Sequence, residues 1–132
     1  MNIIICLDDK NGILFNHRRQ SRDGALCQRA LELSKDSKLW MNEYSSKLFS
    51  AENICVCEDF LDKANEGDFC FVESDKFLEY IENAEKIIVY RWNKTYPSDV
   101  KIDGAIFSQK KLVSSVDFAG TSHDKITEEI YE

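Results

Sequence analysis

Acidic side chains stand in pairs or beside a hydroxyl at several places in this sequence: Asp8-Asp9, Glu58-Asp59 and Glu73-Ser74 each follow a run of apolar residues. Carboxylates gathered at one end of a sheet hold a divalent cation through hard oxygen contacts, or accept a phosphoryl group beside it. Asp23, at the start of a helical pattern, is an acid that the helix dipole favours there. His17-Arg18-Arg19-Gln20 is a basic cluster in an acidic chain, and Arg18, Arg19 and Arg22 are the candidates to meet a negatively charged ligand. Asp8 and Asp9 open the Lys10-Asn11-Gly12 turn and are read as bordering a cleft, not as a metal site.

Charge and composition remove several classes of function. The chain has 132 residues, 43% of them hydrophobic and 31% charged, enough for one core in a single α/β domain spanning 1–132. Seventeen basic against 24 acidic side chains leave a net charge of -7, with no basic stripe for nucleic acid. No apolar run approaches the roughly 20 residues that span a bilayer, and the first residues show no leader pattern, so a cytoplasmic location and no membrane partner are expected. Of the five cysteines, Cys6, Cys55, Cys57 and Cys70 sit in β-like runs and read as buried thiols. His17 and His123 are the only histidines. Two isolated histidines cannot build the His-rich two-zinc centre of a metal-dependent ribonuclease, and no Gly-x-Ser-x-Gly elbow marks a serine hydrolase.

The elements that must position these groups follow from periodicity. Residues 3–7 form a continuous β-branched run, as in a strand covered on both faces. Residues 23–34 form a helix with Leu26, Ala30 and Leu33 at helical spacing and Ser21 as its cap. Short strands at 38–41, 53–57 and 69–73 alternate with a helix capped by Asn42, a helix carrying Phe60 and Leu61, and a helix from Ser74 that turns Phe77, Leu78, Ile81 and Ala84 inward. A strand at 86–92 completes five strands and four helical segments, which implies right-handed crossovers and a mainly parallel sheet. Beyond Val100 the alternating segments 105–107, 112–118 and 125–131 read as antiparallel edge strands around an Ala119-Gly120-Thr121-Ser122 turn.

Acids after strands one and three, a hydroxyl after strand four and a cation after strand five resemble a response-regulator receiver domain, though Arg91 stands where that family has lysine. A second resemblance covers nearly the whole chain. The acidic-Gly loop with "GILFN", then "SRDGALCQRALELS", resembles the start of a dihydrofolate reductase, and "SKLWMNEYSSKLF" is similar to that family's second strand and following helix. The stretch "DFCFVESDKFLEYIENAEKIIVYRWNKTYPSDVKID" looks like the strand, helix and strand that follow, and "VDFAGTSHDKITEEIYE" like the closing hairpin. The resemblance implies an α/β fold with an antiparallel C-terminal hairpin, a loop over the active site and, at Asp23, a partly buried carboxylate that pairs with the N–H groups of a pterin and, with a raised pKa, moves a proton as the catalytic residue.

The chain departs from that family where the family grips NADPH. In place of Gly-Arg-x-Thr it has Asn42-Glu43-Tyr44-Ser45, and in place of a glycine pair it has Glu73-Ser74, whose side chains and charge crowd a pyrophosphate. No cofactor is therefore expected. The expectation is a non-reductase that binds a small nucleotide- or pterin-like ligand in a cleft between Asp8, Asp23 and Tyr44, with Asn16, Ser45 and Ser74 also on it. The alternatives are an NADPH-dependent reductase with an atypical cofactor site and a regulatory or protein-interaction module. Trp40, Tyr44, Tyr90, Trp92 and Tyr96 are the rings available to stack on a heterocycle, and Trp92 with Tyr96 would serve a homodimer surface.

Overall fold

Strand β1 (Asn2–Leu7) shows how the two faces of the sheet are filled. Ile3, Ile5 and Leu7 point into one apolar cluster and Ile4 into the other, the period of two expected of a pleated strand covered on both sides. The computed structural model describes all residues, Met1–Glu132. After β1 come β2 (Gly12–Phe15), β3 (Arg18–Arg19), α1 (Gly24–Ser34), β4 (Leu39–Met41), α2 (Glu43–Ser46), β5 (Ile54–Val56) and α3 (Phe60–Lys63). Then follow β6 (Phe69–Phe71), a 3-10 helix (Asp75–Asn83), β7 (Lys86–Arg91), β8 (Val100–Lys101), a second 3-10 helix (Gly104–Phe107), β9 (Leu112–Phe118) and β10 (Ile126–Tyr131).

The main sheet runs β5-β4-β6-β1-β7-β10-β9. β1 is parallel to β6 and β7, and β4 to β5 and β6, while β10 is antiparallel to β7 and β9. This is the mainly parallel sheet with an antiparallel C-terminal pair that the alternation of elements predicts. Neighbouring strands β1 and β6 send the chain to opposite sides of the sheet, β1 toward β4 and β6 toward β7. Such a reversal leaves a crevice at the strands' carboxyl ends, where open α/β sheets bind ligands.

Several local expectations change. A hairpin of β2 and β3 joins β8 in a separate three-stranded sheet that the sequence reading did not anticipate. Its two-residue turn, Asn16-His17, has φ of 53° and 62°, the left-handed pair of a type I′ turn, built without glycine. Asn and His tolerate that region better than most residues, so the usual Asn-Gly signal is missing. Residues 105–107 are not a strand but lie in the second 3-10 helix, where the Asp103 carboxylate accepts from Ala105 N–H at 2.9 Å. Residues 75–83 wind as a 3-10 helix, so the inward face repeats every three residues: Phe77 is buried with Tyr80 and Ile81 against the core, and Leu78 faces outward. Asp23, not Ser21, caps α1.

Candidate functional site

Asp8 is spent on its own loop. Its Oδ1 accepts from the N–H groups of Lys10 and Gly12 at 2.9 and 2.7 Å, and its Oδ2 from Gln20 Nε2 and Tyr96 N–H at 3.0 and 3.1 Å. Burial works to raise its pKa, but these four donors outweigh it and hold the carboxyl below the usual range. The acid that ends β1 thus braces the turn and ties the segment after β7 to it.

Asp23 is bound more completely. Its Oδ1 accepts from Ala25 and Leu26 N–H at 2.9 and 3.3 Å, capping α1, and from Thr121 N–H at 2.9 Å. Its Oδ2 accepts from Ser122 N–H at 2.7 Å and lies 3.0 Å from His123 Nδ1. Burial opposes ionisation here too, yet His123 and the backbone donors pull the pKa down to about 2. A carboxylate held so low is a poor proton donor near neutral pH, and both of its oxygens already accept hydrogen bonds. His123 Nε2 lies 2.8 Å from Tyr96 OH and 3.1 Å from Ser21 Oγ, and its ring stacks on Trp92 at 4.6 Å between centroids. Trp92 is therefore buried against a histidine, not offered to a second chain.

Gly120 makes this knot possible. A Cβ there would lie 2.6 Å from Asp23 Oδ2 and 2.7 Å from the His123 carbonyl oxygen. Gly120→Ala is expected to cost about 2 kcal/mol through forced displacement, read as a lower denaturant midpoint at unchanged slope.

Across the crevice, Arg19 forms a latch. Its Nε and Nη2 donate to Glu73 Oε2 and Oε1 at 2.7 and 3.0 Å, and Nη2 also reaches the Tyr44 carbonyl oxygen at 3.3 Å. The guanidinium lies 4.1 Å from the centre of the Tyr44 ring, and Ser45 Oγ donates to Glu73 Oε1 at 2.8 Å. Burial works to lower the Arg19 pKa, and the Glu73 carboxylate more than reverses it. Three residues singled out from the sequence, Arg19, Tyr44 and Ser45, therefore meet, but on one another and on Glu73. Beneath the latch the crevice lined by Cys6, Ile13, Gln20, Ser21, Val72 and Trp92 holds only about 10 Å³, room for no more than one water molecule.

The other sequence candidates lie apart. Arg18 and Arg22 are exposed and make no ion pair, and Arg22 shares with Asp23, Lys47 and Leu48 a depression of about 330 Å³. Asn16 is a turn residue whose N–H donates to Asp99 Oδ2 at 3.1 Å. Ser74 caps the first 3-10 helix through Lys76 N–H and lines an open cavity of about 370 Å³ at the carboxyl ends of β4, β5 and β6. Phe60, Leu61 and Val72 supply the apolar part of that cavity, and Glu58, Asp59, Asp62, Glu73 and Glu79 its acidic part, against one cation, Lys76. Such a donor set does not fit the phosphates of a nicotinamide cofactor, which need N–H groups and cations. The sequence reading missed His123 and Glu73 as organising residues, because their partners are 100 and 54 positions away.

No protein-family model matches the sequence, and no curated protein matches it. Among solved structures, a dihydrofolate reductase from Enterococcus faecalis, complexed with NADP(H) and RAB-propyl, is similar with a TM-score of 0.69 and 13% identity, over 99% of this chain and 94% of that one. At that identity the likeness speaks for architecture alone: the chain has a divergent dihydrofolate reductase-like fold.

Proposed function

We propose that this chain is a small-molecule-binding protein on a reductase-like scaffold, not a working reductase, and that its ligand is the heterocyclic part of a nucleotide- or pterin-like compound. The open cavity at the carboxyl ends of β4, β5 and β6 carries this reading. Its size suits a ligand of one or two fused rings, its apolar part offers the ring a surface, and its carboxylates offer acceptors to ring N–H groups. The acidic rim disfavours a phosphate tail, so free bases, nucleosides and pterins are favoured over nucleotides.

The test is thermal unfolding against pterins, folates, nucleobases, nucleosides, mono- and dinucleotides, NADH and NADPH. A ligand at about 100 times its dissociation constant adds roughly 2.7 kcal/mol, several degrees for a domain of this size. A shift with a pterin or nucleoside and none with NADPH is expected. A shift with NADPH together with a pterin, and NADPH oxidation lost in Asp23→Asn, would establish a reductase instead. A flat response to the whole panel would favour a regulatory or interaction module, the reading that the closed crevice under Arg19 supports.

A further inference from the structure

The geometry points to Arg19 as an internal stand-in for the ligand: the Glu73 carboxylate, the Tyr44 ring and carbonyl and the Ser45 hydroxyl form a box for a planar amidinium-like N–C–N group, now filled by the chain's own guanidinium. Four observations meet at this spot. Two parallel N–H donors engage both oxygens of Glu73 at 2.7 and 3.0 Å. An aromatic face covers the delocalised cation at 4.1 Å. The Tyr44 carbonyl oxygen takes a further N–H at 3.3 Å, and Ser45 Oγ holds Glu73 Oε1 at 2.8 Å, so the carboxylate is oriented independently of Arg19. Glu73 also borders both the closed crevice and the open 370 Å³ cavity, so a ring fused to an amidine-like edge has space beside the box.

The same fork geometry that binds guanidinium accepts an amidinium, or a 2-aminopyrimidine edge whose ring nitrogen carries a proton, because each then presents two coplanar N–H groups at matching spacing. Asp23, whose oxygens are saturated, cannot serve such an edge, whereas displacing the Arg19 guanidinium leaves Glu73 with only the Ser45 hydroxyl. A ligand of this class would compete with Arg19 and unlatch the hairpin of β2 and β3 from α2. This inference rests on the proposal that the chain binds a heterocycle, and it names the group by which that heterocycle is held.

Chemical complementation separates the two. In Arg19→Ala, benzamidinium is expected to raise the unfolding temperature saturably, while tetramethylammonium at equal ionic strength does not. The effect should vanish in Arg19→Ala/Glu73→Gln, and wild type should need about tenfold more benzamidinium, because its tethered Arg19 competes. Where Arg19→Ala does not fold alone, Arg19→Gln is the host for the same titration. Equal responses to both cations, or a response that survives Glu73→Gln, would overturn the box. If the box responds while the wild-type ligand panel is flat, the proposed ligand falls and the box stands. A wild-type ligand with an unresponsive Arg19→Ala gives the reverse.

Discussion

Asp23→Ala is expected to lower global stability by about 2 to 3 kcal/mol. Loss of a helix cap alone costs about 1 kcal/mol. The substitution also strands His123 Nδ1, which is buried, while the N–H groups of Thr121 and Ser122 belong to exposed residues and can turn to water; an unsatisfied buried donor costs about 1 kcal/mol or more. Together these are a large share of the roughly 5–15 kcal/mol that holds a domain folded. Equilibrium denaturation of the purified variant measures it. A carboxylate kept for substrate would behave the other way, since groups held for catalysis are commonly neutral or unfavourable for stability. A change under about 1 kcal/mol would restore Asp23 as a functional acid.

The pH dependence of the same pair of proteins gives an independent check. Asp23 has a folded pKa of about 2, below an unfolded value of about 3.9. Its folded pKa is depressed, so its contribution is complete above the unfolded value and is lost as pH falls through the folded one. The stability gap between wild type and Asp23→Ala should therefore shrink by about 2 kcal/mol between about pH 4 and pH 2. A gap unchanged across that window would mean that the carboxylate is not held as its hydrogen bonds require.

Local signals made the scaffold legible and long-range pairing hid the site. The β-branched run of β1 and that of β7 announced strands covered on both faces, and Asn42 announced the cap of α2, where its Oδ1 accepts from Ser45 N–H at 2.9 Å. The 3-10 winding of 75–83 was out of reach because its apolar spacing also fits an α-helix. At the site, Asp23 was visible as a helix-starting acid, but nothing near it in sequence says that the turn after β9 folds back to fill both of its oxygens. The basic cluster was equally ambiguous: of its two arginines only Arg19 finds a carboxylate, because β3 turns it toward Glu73 while Arg18 faces out. Electrostatic partners 54 or 100 positions apart are fixed by topology, and topology became readable only with the whole sheet.

Arg29→Ala should rival the Asp23 variant, through a different physical route. Glu128 is 2% exposed on β10 and holds Arg29 Nε and Nη2 at 2.7 and 3.2 Å, with Tyr90 OH donating at 2.9 Å. The pair ties α1 to the antiparallel edge of the sheet, and the Arg29 guanidinium also covers the Phe118 ring at 5.1 Å. Removing the cation leaves a buried carboxylate with one neutral donor, a change that costs about 3–5 kcal/mol in comparable pairs. Tyr90→Phe, which removes only that neutral donor, should cost about 1 kcal/mol. Replacing both charged partners, as Arg29→Met with Glu128→Leu, should recover most of the loss, because the charge that had to be paired is gone. Arg29→Met identifies the cause, measured by denaturant midpoints: it keeps an apolar side chain over Phe118 but leaves Glu128 without its cation, so it should be about as unstable as Arg29→Ala. An Arg29→Met variant close to wild type would assign the loss to the missing side chain over Phe118 and not to a stranded charge.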